Sequence, residues 1–317
     1  MKNRCPLVAA AALAALLAAC SSSNSGSSSS SGTAPKTTGN GTKTIGVSIQ
    51  NLEAQFYQDM EAGMKTEAAK YGYNITFVDA NRDSAKQQAQ VEDFISKKVD
   101  AIVLTPYDSK AIGSAIVEAN NANIPVFTAD IANTSSQGKV VAHVASDNVQ
   151  GGMQAGKLIC QAVKSGNVAI LDEPEVTSVQ DRVKGFRQAL APDCPAVKIV
   201  ADVDAGGTRS KANSDMGDIL QAHKDLKGVF GVNDDSALGA VTAIKAAGAT
   251  GITVVGFDAS PEARAAIASG SMYGDAIQHP DEIGMKTIDA IHAYFTGKTV
   301  PKFTGIAVGT YTKADAT

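Results

Sequence analysis

The stretch GVFGVNDDSALGAVTAIKAAGATGITVVGFD (228–258) reads as a strand, a helical segment and a second strand that stops at an aspartate. GVFGV (228–232) and ITVVGF (252–257) are short, apolar and rich in β-branched residues, as strands buried on both faces of a parallel sheet should be. Asp235-Ser236-Ala237-Leu238-Gly239 opens the segment between them with residue types that cap helices. The arrangement occurs a second time. Asp108-Ser109-Lys110-Ala111-Ile112-Gly113 follows the run DAIVLT (100–105), and Asp130 ends the run PVFTA 22 residues beyond Asp108, as Asp258 lies 23 beyond Asp235. The copies are offset by 127–128 residues and keep both spacing and strand context, which predicts two similar open-sheet lobes. Ligands of open α/β sheets bind outside the carboxyl ends of the strands. Two lobes facing each other would therefore bring Asp130 and Asp258 to one cleft.

The alternation extends outward in both directions. Further strands are expected at 44–49, 73–78, 125–128, 140–145, 167–171, 197–201 and 272–277. Between strands, Val91, Phe94 and Ile95 take helical spacing, and Ile112, Ile116 and Val117 do so in part. Ser260-Pro261-Glu262 reads as an N-cap, a proline in the first turn and an acid at the positive helix end. Alternating strands and helices place the chain in the α/β class, with doubly wound parallel sheets and right-handed crossovers.

At 317 residues, with 44% hydrophobic and 19% charged, the chain has room for two domains with real cores. No run reaches the ~20 apolar residues of a spanning helix, which excludes a polytopic membrane protein. A net charge of −4, from 28 basic and 32 acidic residues, argues against a nucleic-acid partner. Lys2 and Arg4 precede thirteen Leu, Val and Ala residues (7–19), a signal-peptide pattern. Leu17-Ala18-Ala19-Cys20 resembles a bacterial lipobox, so 1–19 is expected to be a leader and Cys20 the lipidated residue; a plain secretory signal is the alternative. Cleavage would leave 26 basic against 32 acidic residues, a charge of −6. Residues 20–43 form a serine-rich linker whose composition cannot offset its ordering entropy. Its 23 residues after Cys20 would reach ~26 Å.

Only Cys160 and Cys194 then remain, expected as a disulfide in an oxidising compartment, with two unpaired buried thiols as the alternative. Each ends a helical stretch that precedes a strand, and consecutive right-handed crossovers would set those helices side by side.

Catalytic signatures do not emerge. Gly151-Gly152-Met153-Gln154-Ala155-Gly156-Lys157 opens like a phosphate loop, but Leu158 stands where Ser or Thr must reach magnesium. Asp202-x-Asp204 lacks the further ligands of a calcium loop. His143, His223, His279 and His292 have no ligand spacing, and neither metal nor cofactor is implied.

From Thr44 to about Lys313 the chain resembles the ribose-type periplasmic binding proteins of ABC transporters. The resemblance is carried by VEANNANIPVFTAD (117–130), VAHVASDNVQGGMQAG (141–156), DRVKGFRQAL (181–190), GVFGVNDDSALGA (228–240), VVGFDASPEA (254–263) and AIQHPDEIG (276–284). It implies two lobes joined by three hinge crossovers, one formed by 44–146 with 279–306 and the other by 147–278 with 307–314. It also implies a sugar site at Phe56, Tyr57, Asp130, Arg182, Asn233, Phe257, Asp258 and Gln278. Carboxylates and amides would grip hydroxyls while aromatic rings cover C–H faces. Four places depart from the ribose pattern: Ile131 replaces an arginine, Thr105 an asparagine, Gly206-Gly207 stands where an aromatic closes the pocket, and Ala54 falls near a usual asparagine.

The function expected is that of a monomeric, lipid-anchored, extracytoplasmic solute-binding protein, not an enzyme, that passes its ligand to a permease. A sensor presenting ligand to a receptor kinase or chemoreceptor is the alternative. A repressor of the same fold would need a DNA-binding head that the N-terminus lacks. With Asp130, Asp258 and Glu53 set against Arg182, the ligand is expected to be a neutral monosaccharide or sugar alcohol near pentose size. A hexose, using space vacated near Gly207, is the other reading.

Overall fold

The computed structural model describes residues 42–316; the leader, Cys20 and nearly all of the linker lie outside them. Two six-stranded sheets carry the body. The first contains β1 (Thr44–Ile49), β2 (Asn74–Asp79), β3 (Ala101–Leu104), β4 (Val126–Ala129) and β5 (Val140–Ser146), joined by α1 (Gln55–Lys70), α2 (Ser84–Ser96) and α3 (Gly113–Asn121). After α4 (Asn148–Val163) the second sheet is built from β6 (Gly166–Asp172), β7 (Val197–Asp204), β8 (Leu226–Gly231), β9 (Thr253–Asp258) and β10 (Gly274–Ile277). Its connecting helices are α5 (Thr177–Asp193), α6 (Arg209–Ala222), α7 (Asp234–Ala246) and α8 (Pro261–Ser269). The chain then returns as α9 (Pro280–Phe295) and β11 (Phe303–Ile306) to the first sheet and closes as β12 (Gly309–Thr312) on the second.

The strand orders correspond one to one. The first sheet runs β11-β5-β4-β3-β1-β2 and the second β12-β10-β9-β8-β6-β7, so β4 and β9 hold the same place. Every pairing is parallel except β10 with β12. Helices cover both faces of each sheet: α1 and α9 against α2 and α3 in the first lobe, α4 and α5 against α6, α7 and α8 in the second. The chain passes between sheets three times, at 146–148, 277–280 and 306–309.

Local signals place the elements. Ser260 caps α8, with Pro261 in the first turn and Gly270 closing it at φ +82°. Val91 and Phe94 are buried along α2. The cap of α7 is Asn233, which accepts from the Ser236 amide, so Asp235 lies inside the first turn. Asp108 instead accepts from the Lys110 and Ala111 amides in a turn before α3. The two Asp-Ser copies thus share a place in the fold but differ in role. Strands β11 and β12 escape a search for buried apolar runs because they are four-residue edge strands; Phe303 on β11 is 56% exposed.

The glycines that imitate a phosphate loop lie inside α4, where they let two helices touch. A Cβ on Gly152 would strike the Arg182 carbonyl of α5, and one on Gly185 of α5 would strike the Val149 carbonyl of α4. A disulfide joins Cys160 on α4 to Cys194 just after α5, with Cα atoms 5.5 Å apart.

Candidate functional site

The carboxyl ends of both sheets open onto a cleft of about 960 Å³ between the lobes. Seven of the eight residues expected at the site line it: Phe56, Tyr57, Asp130, Arg182, Asn233, Asp258 and Gln278.

Asp130 follows β4 at φ +61° and Asp258 ends β9 at φ +117°. Neither is a glycine, so each holds its carboxylate in a conformation L-residues rarely adopt, strain of a kind that clusters at binding sites. Neither caps a helix. Asp130 Oδ2 accepts from the Tyr57 hydroxyl at 2.9 Å, which itself accepts from Gln50 Nε2 at 2.5 Å. Burial, with Asp130 and Glu173 nearby, pushes the Tyr57 hydroxyl well above its ordinary pKa, so it stays a donor. Burial raises Asp130 as well, against the pull of Arg182.

In the other lobe Asp258 Oδ1 accepts from Gln278 Nε2 at 2.6 Å and lies 3.9 Å from Arg182 Nη1. Burial lifts its pKa well above the usual carboxylate range, opposed by Arg182 and reinforced by Asp234. Arg182 is buried and held from three sides: Nε donates to Asn148, Nη1 to the Val232 carbonyl, and Cζ sits 4.0 Å from the Phe257 ring centre. That stacking corrects the expectation for Phe257. Its ring lies beneath the guanidinium and is not part of the cleft lining.

Asn233 is partly committed, capping α7 and donating to the Gly207 carbonyl at 3.1 Å. Phe56 meets Tyr57 edge-on at 5.1 Å, giving the cleft one apolar wall. Ile131 is buried among second-lobe residues such as Val176 and Val179, an apolar cross-lobe contact where an arginine was the expectation of the family pattern.

Among the lining residues that were not foreseen, three stand at strand ends. Gln50 follows β1, Arg82 follows β2 and Glu173 follows β6, so the carboxyl-end rule applied to every strand would have flagged them. They also correct the charge count, which set Arg182 alone against the acids. Nine carboxylate residues line the cleft (Glu53, Asp59, Asp130, Glu173, Asp234, Asp235, Asp258, Glu262, Asp281) against four arginines (82, 182, 209, 264). Arg209 is engaged by Asp235 and Glu262, and Arg82 by Glu173. The lining remains acidic. Among the described residues no group of three His, Cys, Asp or Glu side chains is placed to hold a metal ion.

Two doubly wound lobes meeting over a cleft of carboxylates, amides and aromatic rings define a two-lobed solute receptor. Residues 45–299 match the family model described as a periplasmic binding protein domain. The chain is 36% identical over 261 residues to the ribose import binding protein of Escherichia coli (strain K12), covering 81% of this chain and 86% of that one. An ABC transporter solute binding protein from Mycobacterium smegmatis, solved with bound glycerol, has a TM-score of 0.81 at 32% identity and covers 87% of this chain and 96% of its own. A counterpart from Agrobacterium vitis, bound with alpha-D-tagatopyranose, has a TM-score of 0.82 at 28% identity with coverage of 87% and 96%. The chain belongs to the periplasmic binding protein family. It is an extracytoplasmic solute-binding component of transport, not an enzyme.

Proposed function

We propose that the protein captures a small neutral polyhydroxyl molecule, a monosaccharide or sugar alcohol, between its lobes and hands it to a membrane permease. The reading rests above all on four buried acceptor atoms at the cleft, Gln50 Oε1, Asp130 Oδ1, Asp234 Oδ1 and Gln278 Oε1, that have no hydrogen-bond partner among the described residues. Unmet buried acceptors cost about 1–3 kcal/mol each, so the complementary ligand presents donors. Hydroxyls donate; carboxylates and phosphates at neutral pH do not. An anion would also meet an excess of carboxylates. A relative named for ribose import and relatives solved with glycerol and tagatopyranose agree with this chemistry, and transport is favoured over the sensor alternative.

Ligand gripped from both sides would stabilise the closed arrangement, with the three crossovers as hinges between 44–146 plus 279–306 and 147–278 plus 307–314. Lipid on Cys20 would tether a monomer to the membrane, and loss of palmitate labelling in Cys20→Ala checks it. A thermal-shift screen over pentoses, hexoses, pentitols and inositols tests the ligand class, since a ligand at a hundred times its Kd adds ~2.7 kcal/mol. A panel in which only acidic sugars raise the Tm overturns this reading.

A further inference from the structure

Arg82 crosses from one lobe to the other. It sits in the turn between β2 and α2 at φ +55°; its amide donates to the Gln50 carbonyl of its own lobe, while every acceptor its guanidinium holds belongs to the second lobe. Nη1 donates to Glu173 Oε1 at 2.6 Å and to the Gly206 carbonyl at 2.8 Å, while Nη2 donates to the Gly207 carbonyl at 3.2 Å. Glu173 is 3% exposed and lines the cleft. Its other oxygen, Oε2, rests against Gly207, where any Cβ would collide with it. Gly207 stands at φ +59°, and its carbonyl also receives Asn233 Nδ2. The place of the aromatic in the family pattern is therefore occupied by a carboxylate rather than left open for a larger ring. A buried carboxylate without a cation is costly, and the cation here comes from the other lobe.

We propose that Glu173 is a specificity-determining hydroxyl acceptor in the cleft wall, set in place by Arg82, which reaches it only when the lobes close. The acceptor half of this proposal rests on the polyhydroxyl reading above; the closing half does not. In an open protein Glu173 would be hydrated and Arg82 free. On closure the guanidinium takes one carboxylate oxygen and two carbonyls, and Oε2 is left directed to a ligand hydroxyl. Burial holds the Glu173 carboxyl above its ordinary pKa, with Arg82 opposing, so the acceptor depends on its cation.

Closure can be followed without ligand. Ser109 Oγ and Thr177 Oγ1 meet across the lobes at 3.4 Å, so a Ser109→Cys, Thr177→Cys pair in the full chain should cross-link at a rate set by how often the lobes shut. Adding Arg82→Met or Glu173→Gln should slow that rate roughly tenfold, with the two together no slower than either, because each removes the same link. Arg82→Lys, which keeps charge without the fork, should fall between. Unchanged rates, or losses that multiply, overturn the closing role. Calorimetry with D-ribose, D-xylose, xylitol, ribitol and myo-inositol tests the acceptor. Glu173→Gln should weaken the strongest wild-type binder about tenfold and change the order of the panel, and a uniform or absent change overturns it. If none of the five binds the wild-type protein, the polyhydroxyl reading and the acceptor role fail together, while cross-linking still decides the part played by Arg82.

Discussion

The two lobes share one strand order, yet they answer the same structural problem with different chemistry. Each ends its third-from-edge strand, β4 or β9, in a strained aspartate at the cleft. Two residues before that aspartate, Thr128 pairs in register with His143 on β5, and Gly256 pairs with Asp275 on β10. His143 is half-buried beside Thr128, and burial lowers its pKa to about 4. Asp275 is fully buried, and burial together with Asp234 raises its pKa well above the usual range; Asp234 itself is pushed up to about 6. One lobe therefore buries a neutral base where the other buries an acid. Both lobes pair two helices through glycines, since Gly63 and Gly284 serve α1 and α9 as Gly152 and Gly185 serve α4 and α5. Only the second lobe adds a disulfide among the described residues. Topology dictates where the cleft carboxylates fall, and the side chains behind them remain free to diverge.

The largest difference to test is the disulfide. Joining residues 34 apart is worth about 4 kcal/mol in the chain-entropy picture. Cys160→Ser with Cys194→Ser should lower protection by roughly that amount in hydrogen exchange of β6, α4 and α5, and leave β1 and α1 little changed. Titration of unreduced, unfolded protein should find neither thiol free. Equal loss in both lobes would mean that they unfold as one unit.

Next in size is the pair of cleft carboxylates. Asp258→Ala should strand Gln278 and Arg182 and cost about 3 kcal/mol of ligand affinity, while Asp130→Ala leaves the Tyr57–Gln50 chain behind and should cost about 2 kcal/mol. Calorimetry on both variants, with melting curves showing an intact fold, ranks the lobes; an unchanged affinity for Asp258→Ala removes it from the site.

The smallest effect separates the lobes by pH. For His143 the folded pKa lies below the unfolded value of ~6.5, so its stabilising share is lost as pH falls from there towards about 4. For Asp234 and Asp275 the folded values lie above ~3.9, so stability is greatest below that pH and declines as pH rises through about 6 and beyond. Lobe-resolved hydrogen exchange should show the first lobe loosening in acid and the second loosening in mild alkali. Asp275→Asn should flatten the second trend without touching the first, and parallel trends in the two lobes would contradict the contrast.

Much of this architecture was legible in the chain. Ten short β-branched runs, each close to an observed strand, could be read because parallel strands buried on both faces must be apolar throughout. The 127–128 residue offset between Asp-Ser and strand-Asp copies placed Asp130 and Asp258 at matching strand ends, since one topology was used twice. What stayed hidden depended on partners distant in sequence. Strands β11 and β12 bond to sheets made long before them, and their exposed faces carry no periodic signal. Phe257 looks like a ring for a ligand until Arg182 is seen lying over it. Arg82 and Glu173, 91 residues apart, each stand near a strand end, but their pairing could not be read, because a contact that depends on two lobes meeting leaves no pattern in either segment alone. Sequence determined the sheets, the two cleft aspartates and the cysteine pair through local periodicity and spacing. Tertiary structure alone decided which side chains face the cleft and which face each other, because that depends on how two separately folded surfaces meet.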